Sequence, residues 1–428
     1  MEKIFHLSEN RTTLAAELRA GVTTFFAMAY IIFLNGVFLG GAGMDGQAVL
    51  IATCLSAALG TLLCAFLSNK PFALAAGMGL NSFFAYTVCG VYGYSWQQAL
   101  ALTFIAGLLF FLLAVSPFRR KVIASFPDTL KHAVSVGIGL FIALIGLLNA
   151  GVVNMTMGFP ALGDLSDPGV LCAIAGILVT ALLAVRGVKA ALILGMLFTV
   201  ILNVLFGVTA APTKLFSAPD ALGLVAFKLD FHGLAARGIP ALCALLVSMA
   251  MVDMFDTLGF LIGADSGAGL LKDDEKATGR VLIADASSTM LGALLGCSTV
   301  TCYAESSTGI AAGGRTGLTG VTVAVCFLLA TFFSPLSSVI TAAATSPALV
   351  VVGLYMFLDI RNIDLQHLDE ALPAYLCILV MPLSYSITTG MAVGFISYTL
   401  CKLACGKARE LSGTVLALTV LFALYFII

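Results

Sequence analysis

Residues 298–317 read STVTCYAESSTGIAAGGRTG, and this stretch decides the fold. It opens on residues suited to extended backbone, passes an acid at Glu305, and runs through hydroxyl side chains and glycines into a helix. A counterpart at 71–88, PFALAAGMGLNSFFAYTV, is built the same way around Asn81. Neither resembles a lipid-facing helix. Non-helical backbone at membrane depth is tolerated only where it is buried in protein or lines a cavity. Interrupted spans at corresponding places in two halves of a chain point to a transporter's central site. The plainer reading is that the glycines only allow close helix packing; the matching positions favour the first.

The membrane setting follows from composition. Of 428 residues, 60% are hydrophobic and 10% are charged, against roughly 25% charged in a soluble domain. The mean hydropathy is +1.08. A water-soluble protein is excluded, and about fourteen spans of roughly 20 residues would take up ~280 residues, close to the apolar share. The net charge of -1 excludes a nucleic-acid binder driven by a basic surface. The segment from Met1 to Glu17 is mixed in charge and has no small-residue cleavage site, so the first apolar run is expected to be retained. The eleven cysteines fall mostly singly in apolar runs and read as small apolar side chains. Cys297 and Cys302 are the one close pair, and a functional dithiol there is the lesser reading. No metal-ligand spacing occurs, and no cofactor is expected.

Apolar runs predict spans near 18–39, 47–67, 72–88, 97–115, 130–149, 169–186 and 189–207, a polar stretch at 208–238, then 239–263, 279–296, a broken run 298–313, 317–333, 337–358, 371–387 and 389–404. A short apolar tail at 412–428 is an accessory helix or part of a different division of the last segments. With the N-terminus in the cytoplasm, eighteen of the 21 basic residues lie inside, including Arg119, Arg120, Lys121 and Lys272. Only Lys214, Lys228 and Arg237 lie outside, as the positive-inside bias requires. Seven spans per half make any repeat inverted. A weak echo supports one: VSVGIGLFIALIGL at 134–147 resembles ATSPALVVVGLYMFL at 344–358, each the fifth span of its half.

Only four acids fall within these spans, Asp253, Asp256, Asp285 and Glu305, and no Lys or Arg lies deep enough to neutralise them. A carboxylate at the bilayer centre costs about 2.5–3.5 kcal/mol even on the lenient insertion scale. These groups must face a cavity, pair with donors or carry a proton. Asp253 and Asp256, three apart in VSMAMVDMFDTLGFLIGA, are expected on one helical face, pointing into the same space. Glu305 follows the extended stretch, where a new helix N-terminus offers free N–H groups. Closely spaced acids can load and release a proton, so Asp256, Glu305 and Asp253 are the proton-coupling candidates. The bland alternatives are a helix–helix hydrogen bond for Asp253 and a cap for Glu305. Asp285 is expected near the cytoplasmic end of its span with water in reach, in a structural role. None of His6, His132, His232 and His367 is mid-membrane, so a histidine relay is not expected. The Asn81 amide can both donate and accept. Phe83 or Phe84 beside it offers a flat face for a planar ligand, although most phenylalanines in such a chain face lipid or core.

These residues resemble a known family. GVTTFFAMAYIIFLN (21–35), AAGMGLNSFFAYTV (75–88), DMFDTLGFLIG (253–263), ADASSTMLGALLGCSTVTCYAESSTGIAAGGRTGLT (284–319) and MPLSYSITTGMAVGFISY (381–398) resemble nucleobase:cation symporter family 2, in its azaguanine-like purine permease branch. The resemblance implies an all-α polytopic membrane protein of about 14 transmembrane spans in two inverted seven-span repeats, with broken third and tenth spans carrying short extended strands. Core and gate domains would alternate along the chain, as core 1–115, gate 130–207, core 239–333 and gate 337–428. Substrate would sit between the third and tenth spans, held by Asp253, Asp256, Glu305, Ser306 and Asn81, with Phe83 and Phe84 beside it. The family's first span usually continues Asn-Pro where this chain has Asn35-Gly36, which should loosen a helix end; Cys297 and Cys302 stand where threonine is common.

The expected function is proton-coupled uptake of hypoxanthine, guanine or adenine by alternating access, with no enzymatic chemistry. The expected location is the plasma membrane. The partners are a purine nucleobase, a proton and the lipid bilayer, with a homodimer as a further expectation. A xanthine/uracil-type permease is the nearest alternative, followed by an anion transporter of the same architecture, which an acidic pocket disfavours. A channel would need a repeated filter or charge ring. An enzyme would need a nucleophile–base pair or a metal set.

Overall fold

A computed structural model describes residues 2–117, 126–156, 159–211, 214–236, 238–265, 270 and 275–427 of the chain. Arg119, Arg120, Lys121, Arg237 and Lys272, used above for orientation, lie outside the described residues.

The described residues fold as helices with four short strands. The first apolar run forms α1 (Leu14–Met28) and α2 (Ile31–Gly41), followed by α3 (Gly46–Ser68). Strand β1 (Leu74–Ala76) leads into α4 (Met78–Ser82), which widens into a π-helix over Phe83–Val91. Then come α5 (Trp96–Val115), α6 (Asp128–Asn149), a hairpin of β2 (Val153–Thr156) and β3 (Phe159–Leu162), α7 (Pro168–Val185) and α8 (Ala191–Leu205). The second half comprises α9 (Ile239–Asp265), α10 (Glu275–Leu295), β4 (Val300–Cys302), α11 (Ser306–Ala311) and α12 (Gly317–Ala330) with a 3₁₀ continuation over Thr331–Ser338. It ends with α13 (Ala342–Phe357), α14 (Leu368–Ser384), α15 (Ile387–Ala404) and α16 (Gly413–Ile427). Among the described residues, nine helical stretches are long and apolar enough to cross a membrane.

Local chemistry sets many of the boundaries. Ser95 and Gln98 form a reciprocal capping box at the start of α5. Asp45 accepts from Ala48 N at 2.8 Å to start α3, and Asn69 ends it in the left-handed conformation. Asp167 caps α7 ahead of Pro168, whose missing N–H costs nothing at a first helical position. One expectation needs correction. The helix runs unbroken through Asn35-Gly36, and the interruption falls earlier, at Ala29–Tyr30, where Ile32 N reaches back only to Ala29 O, at 3.2 Å. The hairpin β2–β3, paired Val153 to Leu162 and Thr156 to Phe159, lies between the expected spans 130–149 and 169–186.

Two packing groups position the candidate site. In the first, α3 lies against α10, α12 and β1, while α10 also packs on α5, and α1 on α11 and α12. In the second, α6 packs on α13 and α14, α14 on α15, and α7 on α8 and α13. The α6–α13 crossing is set by two glycines: a Cβ on Gly139 would stand 2.7 Å from Gly353 O, and one on Gly353 2.5 Å from Gly139 O. Any side chain at either position would push the backbones apart. Packed against the first group, β1 and β4 pair antiparallel, Leu74 with Cys302, Ala75 with Thr301 and Ala76 with Val300, and all six residues are buried. The outer surfaces of α7 and α8 present Leu182, Val185, Ile201 and Leu205, exposed apolar side chains suited to lipid.

Candidate functional site

The two strand–helix segments bring the central residues together. Gly77 N donates to Thr299 O at 3.2 Å and Tyr303 N to Ala73 O at 3.0 Å, extending the β1–β4 ladder at both ends. The Tyr303 hydroxyl donates to Ala76 O at 2.5 Å, tying the second segment across the first. Helix α9 packs on β4, α4 and α11, which places its acids beside both segments.

Asp253 and Asp256, three apart on α9, meet different neighbours. Asp253 is buried, and its Oδ2 accepts from Thr289 Oγ1 at 3.0 Å; the same hydroxyl group meets Val300 of β4 through both N and O. Asp256 is partly exposed and faces the start of α4, its Oδ2 3.4 Å from where a Gly79 Cβ would stand. Three residues is an offset of about 60° around a helix, enough to give the two acids different neighbours. Glu305, also partly exposed, immediately precedes α11 and accepts from the Tyr30 hydroxyl at 2.8 Å. Asp285 corrects the sequence reading: it is completely buried, and its Oδ1 accepts from Cys302 N at 2.9 Å. Because α10 starts at Glu275, Asp285 stands about 15 Å along the helix, out of reach of the end.

Asn81 is buried, accepts from the Ser298 hydroxyl through Oδ1, and has no partner for its Nδ2 donors among the described residues. A buried amide without a partner, on the short helix whose start Asp256 faces, is the kind of group a polar ligand would satisfy. Ser306 is buried, and its Oγ accepts from Ala73 N at 3.0 Å, bracing the chain ahead of β1. Phe83 and Phe84 begin the π-helix and are fully buried. Among the described residues, no ion pair reaches Asp253, Asp256 or Glu305. Cys297 and Cys302 are free and buried, with Asn35 Nδ2 donating to Cys297 Sγ at 3.3 Å. His232 and His367 are exposed and pair with Asp230 and Asp364 instead.

A cluster of rings joins the π-helix to α2, α6 and the end of α14. Tyr86 meets Phe38 and Phe141 edge-on, Phe141 meets Tyr385, and Thr87 Oγ1 donates to Tyr385 O at 3.1 Å. An apolar groove of about 310 Å³ between α8 and the 3₁₀ turn after α12 is lined by none of the acids.

Sequence reasoning missed Tyr30, Thr289 and the burial of Asp285. Thr289 stands four residues after Asp285 on one helical face within ADASSTM, a spacing that does not point to Asp253 on another helix. Tyr30 carries the one hydroxyl in the apolar run FFAMAYIIF, a weak signal.

The chain matches the Permease family profile Xan_ur_permease over residues 15–393. It is 41% identical to the guanine/hypoxanthine permease PbuO of Bacillus subtilis over 425 residues, covering 98% of each chain. It is 38% identical to the adenine permease AdeP of Escherichia coli, covering 99% of this chain and 95% of that one. In structure it is similar to the transmembrane domain of the cyanobacterial bicarbonate transporter BicA, with a TM-score of 0.69 and 16% identity, covering 88% of this chain and 97% of that one.

Proposed function

Because this chain belongs to the Permease family, nucleobase:cation symporter family 2, we propose that it is a purine nucleobase permease that takes up hypoxanthine, guanine or adenine together with a proton. The observation that carries the reading is full-length similarity to permeases of that substrate class, joined to an acid set and a buried Asn81 amide that have, among the described residues, no basic partner and no acceptor respectively. Purine bases present N–H donors and ring acceptors on one edge, which carboxylates and an amide can satisfy. An anion carrier would meet repulsion at the same acids, so the likeness to a bicarbonate transporter is one of fold.

In this reading fourteen segments cross the membrane: the nine long apolar stretches, α8, α10, α14, and the two strand–helix segments. The packing supports inverted repeats, since α3 meets α12 as α10 meets α5, and α6 meets α13 through facing glycines. The first packing group is the core and the second the gate. Contacts at the two ends support an N-terminus in the cytoplasm: Asn69 Nδ2 reaches Phe5 O and Lys70 Nζ reaches Leu270 O at one end, while Gln98 Nε2 reaches His232 O at the other. The protein sits in the plasma membrane.

Asp256 and Glu305, the partly exposed acids, take the proton and the base's N–H donors, and Asn81 donates to a ring acceptor. Asp253, held to β4 through Thr289, passes the charge state of α9 to the strand pair. Loading favours closure because neutralised acids and a bound base leave fewer uncompensated groups for the core to bury as it moves against the gate. Phe83 and Phe84 back the base through the π-helix rather than by an exposed face.

The test is uptake of labelled hypoxanthine in a transport-deficient host, competed by adenine, guanine, xanthine and uracil. Competition by purines and not by uracil is expected, with uptake abolished when the proton gradient is collapsed and by Glu305→Ala at native membrane levels. Uptake that survives collapse of the gradient overturns the coupling, and uracil as the strongest competitor overturns the substrate class.

A further inference from the structure

We infer that Tyr30 is a positioning residue that sets which oxygen of Glu305 meets the substrate, and thereby governs affinity for the base. The inference rests on the reading of Glu305 as a substrate acceptor. A carboxylate on a side chain with three rotatable bonds presents its oxygens in many directions unless something holds it. Here the Tyr30 hydroxyl donates to Oε1 at 2.8 Å and is, apart from the residue's own backbone N–H, the carboxylate's sole partner among the described residues. With Oε1 engaged, Oε2 is the oxygen presented to a ligand.

The fold supplies the rigidity this needs. Tyr30 stands in the break between α1 and α2 and is 2% exposed, so its ring has no freedom to follow a moving partner. Helix α1 is locked to α11 where Gly309 meets Thr24: a Cβ on Gly309 would overlap Thr24 Oγ1. That close approach fixes the distance between the Tyr30 hydroxyl and the residue that starts α11. The hydroxyl is a donor toward a carboxylate, so it competes with no N–H of the base for the remaining oxygen.

The test is Tyr30→Phe, which keeps the ring and removes only the donor. A hydrogen bond to a charged group lost in this way corresponds to about a 10- to 100-fold rise in KM for hypoxanthine uptake, with Vmax within about twofold at equal membrane amount. In purified protein the ligand-free Tm is expected to stay within about 2 °C of wild type while the increase in Tm produced by hypoxanthine shrinks. A purely structural role would instead lower the ligand-free Tm and the Vmax and leave KM alone. Glu305→Ala runs in parallel. If it retains wild-type KM, the role of Glu305 itself fails; if it loses uptake while Tyr30→Phe keeps wild-type KM, only the role of Tyr30 is overturned.

Discussion

Glu17 closes the N-terminus of α12 from a different helix. It is fully buried and accepts from Arg315 N at 2.9 Å, Thr316 N at 3.3 Å, and Thr319 N and Oγ1 at 3.1 and 2.5 Å. These donors gather just before and within the first turn of α12, where a helix start is short of acceptors for its N–H groups, and a negative charge beside them also suits the helix dipole. Glu17→Ala is expected to destabilise the protein by about 3 kcal/mol, because it leaves buried donors unmet, and Glu17→Gln by about 1 kcal/mol. Thermal unfolding of the purified protein checks the order; equal effects would mean that the charge contributes nothing. The sequence reading placed Glu17 in the polar leader and so missed it, because what buries it is the loop at 314–316, remote in sequence. Asp253 and Glu305, by contrast, were legible as acids that apolar surroundings could not explain. Their partners were not: Thr289 and Tyr30 reach them from other helices, and those contacts are set by tertiary packing.

At the scale of elements, α14 and α15 are joined at one end by a charged cluster. Lys402 Nζ lies 2.9 Å from Asp369, 2.6 Å from Glu370 and 2.7 Å from Glu410, and Lys407 Nζ lies 2.7 Å from Asp369. Asp369 precedes the apolar run that begins at 371, and Lys407 and then Lys402 hold its carboxyl well below the usual carboxylate range. A folded value below the unfolded one near 3.9 gives stability that is complete above about pH 4 and is lost as pH falls through the folded value. Stability from this joint is therefore expected to be flat from neutral pH to about pH 4 and to decline below it, and Asp369→Asn should flatten that decline. Melting curves over pH 3–7 in detergent decide it; an unchanged acid limb in the variant would remove Asp369 as the cause. Element positions were largely legible because apolar runs and their caps are local. The echo between 134–147 and 344–358 proved to mark elements that meet, Gly139 against Gly353. The π-helix after Ser82 was not legible, since a wide turn depends on what packs around it. Nor was the hairpin β2–β3, whose strands of four residues each are too short to show a period.

Across the whole molecule, α16 reaches from α15 of the second packing group to α9. It is the apolar tail that the sequence left open, and it lies against α15 on one side and α9 on the other. Phe422 is fully buried and meets Phe395, Thr419 and Thr399 share a hydrogen bond of 2.7 Å, and the Tyr425 hydroxyl contacts both Tyr92 and Thr389. In the core-and-gate reading, α9 and Tyr92 belong to one body and α15 to the other, so α16 bridges parts that must move relative to each other. A restraint made in one arrangement raises its population, and removing it shifts the balance away from that arrangement without altering the site. A chain ending at Leu411 is therefore expected to bind hypoxanthine with a Kd within about threefold of the full chain, while its uptake Vmax changes by about threefold or more. Its Tm should drop by about 5 °C, since Phe395 and Thr399 lose their partners. Binding to purified protein and uptake in cells at matched expression separate the two effects. Equal loss in both would show that α16 supports the site's structure and does not act on the cycle.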